Sequence, residues 1–174
     1  MTSFVQHLSK YAAYHRDKRN VATHYVGIPM IVAGVATLLS RPAFAYFDGI
    51  ALSPALIAVV ITALFYLKLD IRFGIVMSAF LAACLWLGQL FAVQPTAVWL
   101  SLGIGLFVVG WVFQFIGHYY EGKKPAFVDD IMGLAIGPIF VAAELAFELG
   151  LRKDVQDAVE ARVGPTFIRQ AKVA

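Results

Sequence analysis

Charge is scarce in this 174-residue chain: Asp, Glu, Lys and Arg together make up 14%, where a soluble globular domain carries roughly a quarter. Cysteine is nearly absent. The single Cys84 sits inside an apolar run, which excludes an internal disulfide framework and a cysteine zinc site. Low-complexity segments, internal repeats and long basic blocks are missing, so neither a disordered chain nor a nucleic-acid-binding tail is expected. Residues 1–20 carry Lys10, Arg16, Asp17, Lys18 and Arg19 with no apolar core among them, unlike a secretory signal peptide. What fills the space is apolar: 60% of residues by count, with a mean hydropathy of +0.76. A soluble domain of this length has too little interior to hide that much apolar surface. The composition points to one small integral membrane domain rather than a soluble enzyme.

The apolar residues are gathered into runs long enough to cross a bilayer, which needs about 20 residues of helix. Four such spans are expected: 25–40, ended by Arg41-Pro42; 50–67, ended by Lys68; 73–93, with Pro95 just beyond; and 97–117, ended by His118. A fifth stretch, 131–147, is short and interrupted by Gly133, Gly137 and Pro138. Proline and glycine weaken a helix interior, so this segment is expected to be re-entrant or interfacial, or else a fifth span. Residues 3–19 read as an interfacial helix, with Phe4, Leu8, Tyr11 and His15 at helical spacing. The fold expected is therefore an all-α polytopic bundle, with 1–24 as N-terminal helix, 25–149 as bundle and 150–174 as a cytosolic tail. Within that tail Val155, Val159 and Val163 recur at the spacing of a short surface helix.

Alternating the connections sorts the few charges. One side holds the N-terminus, the 68–72 turn and the 118–130 loop, with Lys10, Arg16, Lys18, Arg19, Lys68, Arg72, Lys123 and Lys124; the other holds only Arg41. Eight basic residues against one place the first side in the cytosol by the positive-inside rule. His7, His15, His24 and His118 fall on that same side, as do Asn20, Asp70, Glu121, Asp129 and Asp130. A cluster of imidazoles with a carboxylate suits iron, zinc or manganese.

His118 closes the fourth apolar run, with Gln114 one turn before it and Glu121 three residues after, all on one helical face. A helix C-terminus also carries partial negative charge, which favours a cation. His15 and His24 are nine residues apart, about half a turn out of phase on one straight helix. They can meet only across a bend, which residues 16–20 could supply, with Asn20 capping a new helix near Val21. His7 lies further out and reads as a surface residue. Arg16, Arg19, Lys123 and Lys124 read as headgroup contacts, with a second role in holding a substrate carboxylate at the membrane surface, and Asp70, between Lys68 and Arg72, as a surface ion-pair partner.

Two segments carry a resemblance. Tyr14-His15-x4-Asn20-x3-His24-x2-Gly27-x-Pro29 and Trp111-x2-Gln114-Phe115-x-Gly117-His118-x2-Glu121-x3-Pro125-Ala126 resemble the two signatures of the membrane-bound 2-hydroxy fatty acid dioxygenase family. The resemblance covers about residues 4–149. It implies an iron(II)-dependent enzyme that needs no 2-oxoglutarate and shortens a 2-hydroxy fatty acid by one carbon, as in phytosphingosine degradation. Its partners would be the fatty acid, O₂ and membrane lipid, with no nucleic acid. The membrane would be the endoplasmic reticulum or a bacterial inner membrane. His15, His24 and His118 match the motif histidines and become the iron-ligand candidates. Glu121 matches the motif acid, as a ligand or as a group hydrogen-bonded to a ligating imidazole. Asn20 and Gln114 match as well, in a catalytic or a structural role.

Other classes stay open. A non-enzymatic lipid-binding scaffold would use the histidines as interfacial anchors. A zinc hydrolase would use the same ligand types. A transporter would need buried charges inside the spans, and the four runs lack them. A haem protein would place its axial ligands deeper than the helix ends where His24 and His118 lie.

Overall fold

The computed structural model describes residues 3–169. Helix α1 (Ser3–Ala12) is followed by α2 (Lys18–Leu39), strands β1 (Ala45–Phe47) and β2 (Ile50–Leu52), α3 (Pro54–Leu69), α4 (Ile71–Ala92), α5 (Thr96–Glu121), a 3₁₀ turn (Ala126–Val128), α6 (Met132–Glu148) and α7 (Lys153–Val163). The all-α polytopic reading holds. Helices α2, α4 and α5 have 22, 22 and 26 residues and are apolar enough to cross a membrane. In α4 and α5 only 22% and 11% of the most apolar window is buried within the protein. Ile75, Val76 and Trp86 on α4 and Val108, Val109 and Val112 on α5 are exposed, as a lipid-facing surface requires.

Several boundaries differ from the sequence reading. The first spanning helix starts at Lys18 rather than near residue 25. Its cap is Asp17, not Asn20: Asp17 Oδ1 accepts the Arg19 N–H at 2.9 Å, and Asn20 lies inside the first turn. The second apolar run is split. Asp48 and Gly49, at φ 46° and 81°, form the tight turn of a hairpin in which Phe47 pairs with Ile50, the turn chemistry that Asp-Gly favours. Only at Pro54 does α3 begin, capped by Ser53. Its 16 residues reach about 24 Å at 1.5 Å per residue, short of a bilayer core of about 30 Å. The expected four spans thus become three of full length and one shorter apolar helix. The chain turns by 109° between α6 and α7, the geometry of a broken span or a re-entrant segment. Asp70 ends α3 and caps α4 through Phe73 N–H at 3.0 Å.

The chain divides into two compact units, Met1–Val26 with Val112–Ala174, and Gly27–Trp111. In the second, small residues bring helices together: a Cβ on Gly34 would stand 2.8 Å from the Phe107 nitrogen, so only glycine fits there. Arg41 donates to the Ala92 carbonyl at 2.6 Å, to the Gln94 carbonyl, and lies over the Trp99 ring. It thereby neutralises the C-terminal end of α4.

The first unit holds the polar residues. Helix α1 buries Phe4, Leu8 and Ala12 against α6 and α7. The valine spacing of the tail does form a helix, α7, with Val155 and Val159 buried. Residues 164–169 then run back to the start of α2, where Lys18 N–H donates to the Phe167 carbonyl and Phe167 N–H to the Arg16 carbonyl, both at 2.9 Å. The remainder of the expected tail, 170–174, lies outside the described residues.

Candidate metal centre

Three histidines from three places in the sequence meet in the first unit. Helix α1 tightens at its end, where Tyr14 and His15 N–H groups donate to the Tyr11 and Ala12 carbonyls. The chain then turns at Arg16 and Asp17 into α2. That turn supplies the bend His15 and His24 need. Their ring centroids are 4.6 Å apart. His118, in the last turn of α5, lies 5.0 Å from His15 and 5.2 Å from His24. One ring nitrogen of each of the three lies within 4.8 Å of the others, and all three residues are buried.

The hydrogen bonds fix which nitrogens are available. His15 Nδ1 is 2.8 Å from the Tyr11 carbonyl, and His24 Nδ1 is 2.8 Å from the Asn20 carbonyl. A carbonyl only accepts, so both Nδ1 atoms carry the proton and both Nε2 atoms present lone pairs. His15 Nε2 and His118 Nδ1 are buried with no hydrogen-bond partner within the protein. Burial, with the His24 imidazole next in weight, holds the His15 pKa well below the usual histidine range, so this ring is neutral at pH 7. Three imidazoles gathered this closely, two of them oriented by carbonyls behind them, are a donor set that suits a first-row transition metal.

Apolar rings shield the cluster. Tyr11 stacks on His15 at 4.1 Å and 8°, and Phe140 of α6 lies 5.4 Å from the same imidazole. Tyr11 also lines a cleft of about 300 Å³ together with His7, Lys10, Tyr14, Asp129 and Met132. His7 is half-buried there and stands apart from the three-histidine group.

Glu121 stands outside the three-histidine group and serves the turn. It is fully buried. Its Oε2 accepts the backbone N–H groups of Arg16 at 2.9 Å and Asp17 at 2.7 Å and the Asn20 amide at 3.2 Å. Its Oε1 accepts Arg169 Nη2 at 3.2 Å. Asn20 Nδ2 also donates to the Tyr14 carbonyl at 3.3 Å; both partners are acceptors, which sets the orientation of its amide. Gln114, one turn before His118, is buried with Nε2 unpartnered.

One sequence expectation is corrected. Arg16 is no headgroup contact: it is buried and donates to Glu144 Oε1 at 2.7 Å. Arg19 grips Asp17 at 2.8 Å, and this pairing is the main cause that holds the Asp17 carboxyl down at about 2. Arg169 escaped sequence reading altogether, because its contact with Glu121 joins residues 48 apart and no motif covers it. Tyr11 and Phe140 carried only the signal of apolar helix faces.

The fold and site thus define a polytopic helical membrane protein with a buried three-histidine group beside a helix end. The chain belongs to the family described as 2-hydroxy-palmitic acid dioxygenase Mpo1-like, whose model matches residues 1–149. It is 28% identical over 155 residues to the 2-hydroxy-palmitic acid dioxygenase MPO1 of Saccharomyces cerevisiae, covering 88% of this chain and 85% of that one. No solved structure gives a significant match.

Proposed function

We propose that this protein is an iron(II)-dependent dioxygenase that converts a 2-hydroxy long-chain fatty acid and O₂ into the fatty acid one carbon shorter. The observation that carries the reading is the convergence of His15, His24 and His118 on one point, with two of the rings oriented by carbonyls. The substrate class rests on the family and on the yeast relative's named activity. The stoichiometry closes without a further reductant: R–CHOH–COOH + O₂ gives R–COOH + CO₂ + H₂O. The C1–C2 bond breaks, C2 is oxidised from alcohol to acid, and the substrate supplies the electrons.

Iron(II), held by the three imidazoles, would supply Lewis acidity towards the hydroxy acid and the redox chemistry with O₂. The protein's own groups prepare the place. The Tyr11 and Asn20 carbonyls fix the tautomers of His15 and His24. Glu121 holds the turn that carries His15. Tyr11 and Phe140 keep water from the His15 ring. Gln114 Nε2, with no partner in the protein, donates to the substrate carboxylate. The acyl chain lies in the bilayer, and the excess of basic residues on one side supports a site at the cytosolic boundary.

A zinc hydrolase is the alternative the donor set itself favours, because three imidazoles and an open position also describe catalytic zinc. Metal analysis of anaerobically purified protein separates the two. The dioxygenase reading expects close to one iron per chain and oxidation of 2-hydroxy-palmitic acid. A protein that carries only zinc and consumes no O₂ contradicts it.

A further inference from the structure

The segment after α7 lies outside the region that the family model matches, yet Gly164, Phe167 and Arg169 each bond it to the turn that carries His15 or the start of α2. Arg16 Nη1 donates to the Gly164 carbonyl at 3.0 Å. Phe167 exchanges backbone hydrogen bonds with Arg16 and Lys18, each 2.9 Å, in a short parallel bridge with Asp17. Arg169 N–H donates to Asp17 Oδ2 at 2.9 Å, and Arg19 Nη2 reaches the Arg169 carbonyl at 2.8 Å. Last, Arg169 Nη2 meets Glu121 Oε1 at 3.2 Å, the one oxygen of that carboxylate not given to the turn and Asn20.

We infer that Arg169, carried by the 164–169 segment, is a positioning residue for the metal centre: it anchors Glu121 and Asp17 and so fixes the His15 turn relative to α5. The physical reason lies in Glu121. This carboxylate is fully buried while Arg169 is 40% exposed by side chain. A buried carboxylate needs a cationic or hydrogen-bonding partner on each oxygen, and Oε1 has Arg169. Without it, Glu121 would be drawn towards solvent, and the two backbone N–H groups it accepts from, at Arg16 and Asp17, would lose their acceptor. His15 is the residue next to them. The segment therefore acts as a strap across the turn, and the ligand geometry depends on a part of the chain beyond the motifs.

This inference rests on the reading of the three histidines as metal ligands, and two readouts keep the two apart. The full-length protein in detergent, with Arg169→Ala and Arg169→Lys variants, is titrated with cobalt(II) as a spectroscopic probe. Backbone amide exchange is followed at residues 16–18 in the same samples, and the thermal midpoint reports folding. Arg169→Ala is expected to speed exchange at Arg16 and Asp17 and to weaken cobalt binding by about 10- to 100-fold, the usual range for groups that orient ligands. Arg169→Lys, which retains a cation for Glu121, is expected to recover most of both. Unchanged exchange in a folded Arg169→Ala protein overturns the strap, and so does faster exchange with unchanged cobalt affinity. If Arg169→Ala fails to fold, Arg169→Lys decides alone: full wild-type exchange and affinity support the anchor, and loss of cobalt binding in a folded protein without faster exchange overturns it. If the wild-type protein takes up no cobalt, the metal reading fails, and exchange at residues 16–18 still judges the anchor.

Discussion

Gly117 of α5 packs so tightly on α2 that a Cβ there would stand 2.4 Å from Asn20 Oδ1 and 2.2 Å from Thr23 Oγ1. The same added atom would approach His24 Nδ1 to 3.2 Å. The glycine beside His118 is therefore what lets the helices that carry His24 and His118 come into contact. Gly117→Ala should push His118 away from His24. Overpacking of this kind costs about 1–3 kcal/mol. The variant should show a lower thermal midpoint and at least a tenfold loss of metal affinity, about what a disturbed ligand environment produces. A Gly117→Ala protein that binds metal as the wild type does would show that the helices have slack at this point.

Replacing the ligands themselves should abolish the centre. His15→Ala, His24→Ala and His118→Ala each remove one of three nitrogens that lie within 4.8 Å of one another. Each is expected to co-purify with a small fraction of the wild-type iron and to oxidise no 2-hydroxy acid, while His7→Ala retains both. Elemental analysis and O₂ uptake check this together.

Under the proposed function, replacing Gln114 should separate binding of the substrate from binding of the metal. Its Nε2 is buried and unpartnered, and it is one turn from His118. Gln114→Leu preserves bulk and removes the donor. A hydrogen bond to a charged group is worth about 1.5–3 kcal/mol, so kcat/KM should fall by about 10- to 150-fold with metal content unchanged. Equal loss of metal would assign Gln114 to the ligand scaffold instead.

The Arg16–Glu144 pair tests how the turn is tied to α6. Both side chains are nearly buried and the contact is 2.7 Å. Glu144→Gln leaves the Arg16 charge without its counter-ion, and breaking a buried pair costs about 3–5 kcal/mol. Chemical or thermal unfolding in detergent should show a loss of that order. Asp154→Asn, at an exposed pair, should change the midpoint little.

The legible part of this protein was its apolar bulk and its motifs. Uncharged apolar runs such as 73–93 and 97–117 favour helix, His24 and His118 stand out at the ends of such runs, and His15 stands out through its motif. Local chemistry that competes with hydropathy was harder to see. The Asp48-Gly49 turn took Ile50–Leu52 into a hairpin, although those residues continue an apolar run. Asp17, in a cluster of five polar residues, became the cap of α2 because its partner Arg19 holds it there. Long-range partners left no trace in spacing. Arg16 with Glu144 and Arg169 with Glu121 join positions 128 and 48 residues apart, and only the folded chain brings them together.

The most direct test of the central claim is a single-turnover reaction. Protein purified anaerobically and loaded with one iron(II) per chain is mixed with 2-hydroxy-palmitic acid labelled at C1, then exposed to O₂. Labelled CO₂ and unlabelled pentadecanoic acid are expected in equal amounts, with one O₂ consumed per acid cleaved and no reaction in the His118→Ala protein. Cleavage that proceeds equally well in His118→Ala, or an iron-loaded wild-type protein that leaves the acid intact, would contradict that claim.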